Sequence, residues 1–254
     1  MLSQHNLAIS VGILGNCISF MVFLAPVPTF YRVYKNKSTE EFHSLPYVIA
    51  LFSCMLWIYY ALVKTNCVLL ITINSFGLLI ETIYISIYLA YAPMEAKKFT
   101  ARILVLLNFT TFGMILLSTL LFVHGHKRLM VLGFICDFFS VSVFVAPLSI
   151  IRMVIRTKSV ELMPVNLSFF LTISAAVWLG YGTLTKDIYV ALPNVLGLLF
   201  GIIQMVLYCI YKDDRSNPVD PTHNEMVVPE IALEVSDDAS AGHCCTRVVI
   251  QREI

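Results

Sequence analysis

Two asparagines stand in otherwise apolar stretches, as Asn74-x-x-Gly77 and Asn194-x-x-Gly197. An amide offers two donors and two acceptors, which suits an uncharged, hydroxyl-rich ligand. Such groups are costly in a bilayer without partners, so they should face the protein interior; the competing role is as glue between helices. Two tryptophans recur in the same way, as Ser53-x-x-x-Trp57 and Ser174-x-x-x-Trp178. Residues four apart share a helix face, so each indole could stack on a ring while its serine bonds that ring's hydroxyls. Ordinary aromatic packing is the alternative. Val22 and Val143 lie one turn before Pro26 and Pro147, where they could set a cavity's width. Two acids, Glu81 and Asp137, also fall in apolar stretches, and an intramembrane acid suggests ion or proton coupling. Their repeat partners are Gly201 and Asn16, however, so structural pairing is the expectation for both. There is no nucleophile–base set, phosphate-cradling glycine loop or metal-ligand cluster. Neither an enzyme nor a cofactor is expected.

These positions recur because the chain carries one unit twice. Residues 11–39 align without a gap on 132–160, an offset of 121. Gly12, Ser19, Val22, Phe23, Ala25, Pro26, Lys37 and Ser38 then fall on identical residues, as do Ser53 and Trp57 further on. One residue gained or lost in a loop brings Asn74 onto Asn194 and Gly77 onto Gly197. A duplicated apolar unit builds one site between two halves.

The units must be membrane helices. The chain is 58% apolar and 13% charged, with a mean hydropathy of +0.82, more apolar surface than a soluble domain can bury. Seven stretches reach the roughly 20 residues needed to cross hydrocarbon: 7–30, 44–63, 68–91, 101–123, 129–151, 165–184 and 188–211. The expected fold is an all-α membrane protein with seven transmembrane helices in two parallel-repeat triple-helix bundles (3+1+3). The bundles are 7–91 and 129–211, with a linker helix at 101–123 that restores the orientation of the second copy. Arg32, Lys35, Lys37, Lys97, Lys98, Arg102, Arg152, Arg156, Lys158, Lys212 and Arg215 fall on one side, against Lys64, Lys127, Arg128 and Lys186 on the other. Positive residues gather inside, so the N-terminus is expected outside and the C-terminus in the cytosol. The tail at 213–254 is polar, holds Pro218, Pro221 and Pro229, and reads as disordered. The net charge of +1 gives no case for nucleic-acid binding, and the seven cysteines have no zinc-like spacing. The expected partners are the solute and membrane lipid, with self-association left open.

Four prolines cluster near one membrane depth. A proline inside a helix removes a backbone bond and kinks it, so Pro26 and Pro147 read as hinges. Pro46 and Pro164 are open between that role and harmless places in first helical turns.

At these residues the chain resembles the plant SWEET sugar transporters of the MtN3/saliva type. The resemblance spans about 5–212 and is carried by Gly12-Ile-Leu-Gly-Asn16, Phe23-Leu-Ala-Pro26, Lys37-Ser-Thr-Glu40, Ser44-Leu-Pro-Tyr47, Phe144-Val-Ala-Pro147 and Leu192-Pro-Asn-Val195. It implies facilitated, bidirectional sugar movement by alternating access. It further implies an inner tetrad of Pro26, Pro46, Pro147 and Pro164, and a sugar-contacting set of Asn74, Asn194, Trp57 and Trp178. Tyr60 and Asp187 match the outer gate. Val22, Ser53, Val143 and Ser174 match the selectivity positions of the sucrose-moving subgroup, so sucrose efflux at the plasma membrane is the leading expectation. A hexose uniporter of the same fold is the nearest alternative. A proton-coupled small-solute exporter of the related PQ-loop type would carry glutamine after each hinge proline, but Val27 and Leu148 stand there. A non-transporting receptor or scaffold acting through the tail is the third reading.

Overall fold

A computed structural model describes residues 2–39, 42–65, 67–142, 144–160, 163 and 165–212. Val143, Pro164 and the tail at 213–254 lie outside the described residues. All regular structure among the described residues is helical, and seven helical stretches are long and apolar enough to cross a membrane. Span 1 joins α1 (Leu2–Leu24) to α2 (Val27–Asn36). Spans 2 and 3 are α3 (Leu45–Lys64) and α4 (Val68–Tyr91). Span 4 runs through α5 (Met94–Leu104), a π-helical stretch (Val105–Thr111) and α6 (Phe112–Phe122). Span 5 joins α7 (His126–Ser142) to α8 (Val145–Thr157). Spans 6 and 7 are α9 (Val165–Leu184) and α10 (Ile188–Tyr211).

Spans 1, 4 and 5 run longer than expected, over Gln4–Asn36, Met94–Phe122 and His126–Thr157. Their extra turns are amphipathic. In α2, Phe30 and Val33 are buried while Tyr31, Arg32 and Tyr34 stay exposed. Polar residues lower the mean hydropathy there, but one apolar face still packs and carries the helix on.

The prolines act unequally. Pro26 stands at the break between α1 and α2, where Ala25 N–H turns back to the Val22 carbonyl at 3.1 Å. In span 5 the break falls earlier: Phe144 N–H bonds the Val141 carbonyl at 3.0 Å, and Pro147 sits in the first turn of α8. A missing N–H costs nothing there, because the first four are orphans anyway. The two kinks therefore sit at different repeat positions. Pro46 is likewise in the first turn of α3.

The duplication holds at the backbone. Lys37 (φ 54°) and Lys158 (φ 56°) both end helices in the left-handed region, and positive φ recurs after the next helix at Thr65 (63°) and Lys186 (55°), again at the 121-residue offset. Lys37 and Lys158 then each donate to a tyrosine at the end of the third helix of their half, Lys37 to Tyr91 at 3.0 Å and Lys158 to Tyr211 at 2.8 Å. Packing follows the same two-fold: α4 lies between α1 and α3 and α10 packs against both α7 and α9, while the halves meet through α1 on α9 and α7 on α3. Span 4 packs chiefly on α3. In lipid, close van der Waals approach holds helices together. A Cβ on Gly12 would come within 2.5 Å of Leu69 on α4, and one on Gly133 would strike Tyr189 on α10, the matching place in the second half.

Candidate functional site

The seam between the halves carries Trp178 and Ser174 against Ser19, and Tyr60 against Asp187. Both tryptophans meet a tyrosine three residues on, edge to face: Trp57–Tyr60 at 5.5 Å and Trp178–Tyr181 at 5.4 Å, each at 79°. Gly15 of α1 leaves room for the Trp178 ring, which a Cβ there would approach to 3.1 Å. The polar ends differ. The Trp178 indole N–H donates to Ser19 Oγ at 2.9 Å, and Ser19 and Ser174 hydroxyls share a bond at 3.2 Å. Trp178 is 9% exposed, whereas Trp57 and Ser53 are half-buried and make no hydrogen bond among the described residues. Ser19 was not singled out from the sequence as a site residue. The available signal was its identity with Ser140 in the repeat register.

Asn74 and Asn194 are used alike. Each donates one amide N–H to the carbonyl a turn earlier in its own helix, Leu70 at 2.8 Å and Val190 at 2.7 Å. One donor is thereby spent, leaving a carbonyl oxygen and a second N–H for any ligand. Both residues are half-buried. Their glycines serve packing: a Cβ on Gly77 would meet Phe23 at 2.5 Å, and one on Gly197 would meet Ala175 at 3.3 Å and Phe144 at 3.4 Å. The phenylalanines of the two Phe-x-Ala-Pro motifs thus seat against the asparagine helices. Tyr84 adds a bond from its hydroxyl to the Phe23 carbonyl at 2.9 Å, satisfying backbone next to the Pro26 break. Val22, Pro26 and Pro147 are half-buried, and Pro46 is exposed.

At the ends of α3 and α10 a latch crosses the seam. The Tyr60 hydroxyl donates to Asp187 Oδ1 at 2.9 Å, and Lys64 forms an ion pair with Asp187 Oδ2. Asp187 also caps α10, its Oδ1 accepting the N–H of Tyr189 at 3.2 Å and of Val190 at 3.3 Å. Capping fixes the carboxylate at a helix N-terminus, where negative charge is favoured. Tyr60 is 1% exposed and Asp187 4%. Lys64 was not expected in the latch, although it lies one turn from Tyr60 on the same face.

Three buried polar side chains stand apart. Glu81 and Asp137 make no hydrogen bond or ion pair among the described residues, so the expected structural pairing is absent. Asn108, in the π-helical stretch of span 4, has both amide atoms buried without a partner.

Comparison with known proteins gives this arrangement a family. The model of a family described as a sugar efflux transporter for intercellular exchange matches twice, over 9–96 and 130–216, and passes over span 4. A rice protein named bidirectional sugar transporter SWEET13 is 64% identical over 210 residues, covering 83% of this chain and 71% of its own. The Medicago truncatula protein named bidirectional sugar transporter N3 is 54% identical over 241 residues, covering 92% and 89%. A eukaryotic SWEET transporter solved at 3.7 Å superposes with a TM-score of 0.78 at 31% identity, over 84% of this chain and all of that one. With its motif pairs repeated in sequence and in geometry, the chain belongs to the SWEET family.

Proposed function

We propose that this chain is a facilitative, bidirectional sugar carrier that moves sucrose across the plasma membrane by alternating access, with its N-terminus outside and its tail in the cytosol. The observation that carries the reading is the twofold recurrence of Asn74 with Trp57 and Asn194 with Trp178, in a chain whose relatives are named bidirectional sugar transporters. Each asparagine keeps an acceptor and a donor for sugar hydroxyls, and each tryptophan offers an apolar face. The small side chains Val22, Ser53 and Ser174 leave room for two rings; Val143, the fourth of that set, lies outside the described residues.

The proposed cycle alternates two closures. With Tyr60, Lys64 and Asp187 joined, the two halves are tied where α3 ends and α10 begins. By the distribution of Lys and Arg that end is extracellular, so sugar exchanges with the cytosol in this state. Opening outward requires breaking the latch while the segments beyond the breaks at Pro26 and before Pro147 swing together at the opposite end. No charge need move with a neutral sugar. The duplicated units 7–91 and 129–211 act as the two rocking bodies, with span 4 as the strap between them.

Counterflow of radiolabelled sucrose in proteoliposomes tests the reading. Accumulation driven by unlabelled internal sucrose, unaffected by a proton gradient, is expected. No accumulation with any of sucrose, glucose or fructose would refute carrier function. Accumulation that required a proton gradient would instead favour a coupled exporter.

A further inference from the structure

A groove runs between α7 and α10 with a volume of about 480 Å³, in the range of small-molecule sites. Its walls are Phe134, Phe138, Val141 and Leu192, and its rim includes Ser142. Phe134 is 61% exposed and Phe138 70%, so the groove opens to the surface that a bilayer covers. Asp137 also lines it. That residue is 6% exposed, and its Oδ1 is buried with no hydrogen-bond partner. A polar atom left so is destabilising, more so when charged.

The other half of the molecule shows what is missing. Asn16 is the repeat counterpart of Asp137, and its amide N–H donates to the Thr72 hydroxyl on α4 at 2.9 Å. The counterpart of Thr72 on α10 is Leu192. One half thus supplies a hydroxyl opposite its polar side chain, and the other supplies a methyl group beside an open groove. Lipid acyl chains fill such a groove but cannot bond a carboxyl group. A hydroxyl can, as donor to the carboxylate or as acceptor from the acid.

We infer that the α7–α10 groove is a binding site for a membrane-resident alcohol of the sterol class, its hydroxyl on Asp137 and its apolar body against Phe134, Phe138 and Leu192. Asn74, Asn194 and the tryptophans are not among its lining residues, and it does not depend on which solute they carry.

The test uses the purified full chain in nanodiscs containing a photoreactive sterol, with labelled residues mapped by mass spectrometry. Saturable labelling at Phe134, Phe138 or Leu192 is expected, falling at least about tenfold in Asp137→Leu, as loss of one hydrogen bond to a charged or acidic group implies. A 3-deoxy analogue with no oxygen at that carbon should label equally weakly in both proteins. Asp137→Asn, which keeps a donor and an acceptor, should retain labelling and guards against a folding defect in the leucine variant. Labelling of these residues that is equal in wild type and Asp137→Leu, labelling only elsewhere, or burial of the groove against a second copy of the chain would each overturn the site. Sugar counterflow measured in parallel separates the outcomes. Loss of sterol labelling with counterflow intact in Asp137→Leu concerns the groove alone, whereas absent counterflow in wild type concerns the carrier reading alone.

Discussion

Tyr60→Phe removes one oxygen and nothing else from the latch. The ring keeps its edge contacts with Trp57 at 5.5 Å and Tyr189 at 6.0 Å, and Lys64 keeps its pairing with Asp187. What disappears is a 2.9 Å bond from a hydroxyl to a buried carboxylate. Hydrogen bonds to charged groups contribute about 1.5–3 kcal/mol net of competing water, so the population open at this end should rise about 10- to 150-fold. Cys67 reports that opening. It caps the start of α4, is 6% exposed, and packs in the cluster that contains Tyr60, Trp178 and Tyr181. Burial pushes its thiol up, against a smaller opposing pull from the Lys64 ammonium, so in the latched state it is both covered and held as the unreactive thiol. A membrane-impermeant alkylating reagent applied from outside should modify Cys67 faster in Tyr60→Phe by that same factor. Tyr59→Phe is the control. It deletes a hydroxyl bonded to Thr119 of α6 at 2.9 Å, away from the latch, and should leave the rate unchanged. Equal rates in wild type and Tyr60→Phe, with both proteins folded, would show that this bond does not hold the end closed.

The site proposal makes three further predictions. Asn74→Ala or Asn194→Ala should lower sucrose counterflow at least about tenfold, as loss of one to two ligand hydrogen bonds implies, with surface expression unchanged; normal flux in both would remove the amides from the site. Val22→Phe should reduce sucrose flux more than glucose flux, since overpacking a cavity wall costs about 1–3 kcal/mol for the ligand that fills it; equal losses would show that Val22 does not size the cavity. Gly182→Ala should lower the melting temperature in detergent more than Gly197→Ala. Its Cβ would meet the Ala191 backbone nitrogen at 2.8 Å, while the Gly197 Cβ meets only side chains at 3.3 Å or more, and backbone yields less readily than a ring or methyl group.

Spans bounded by polar loops were legible to within a residue, as Leu45–Lys64, Val68–Tyr91, Val165–Leu184 and Ile188–Tyr211 show, because hydrocarbon thickness sets apolar length directly. The ends of spans 1 and 5 were not, since α2 and α8 carry their helices onward on one buried face. The π-helical stretch at Val105–Thr111 has no compositional signature at all. Among the candidate site residues, the paired ones stand out because duplication marks them against bland apolar sequence. Ser19 and Lys64 were harder: each acts through a partner more than 100 residues away, and nothing in their spacing names that partner. The missing partners of Glu81 and Asp137 could not be read either, since residue type predicts a need for pairing but not whether the fold meets it.

The two halves repeat their backbone more faithfully than their hydrogen bonds, and the difference follows a rule. Each half presents a tryptophan–tyrosine pair in nearly the same geometry, and in each pair one polar end is bonded across the seam. In the first half it is the Tyr60 hydroxyl, held by Asp187; in the second it is the Trp178 indole, held by Ser19. The Trp57 indole and the Tyr181 hydroxyl make no hydrogen bond among the described residues. A two-fold frame with identical polar ends would treat a solute and its rotated copy alike. Here the Trp57 indole is uncommitted and the Trp178 indole is held by Ser19, so a disaccharide of two unlike rings meets different partners at each end. On the proposed reading, sucrose therefore binds in one preferred direction within a frame that began as two equal copies. Releasing the Trp178 indole by Ser19→Ala leaves an uncommitted indole donor in each half and should narrow the difference between sucrose and symmetric disaccharides.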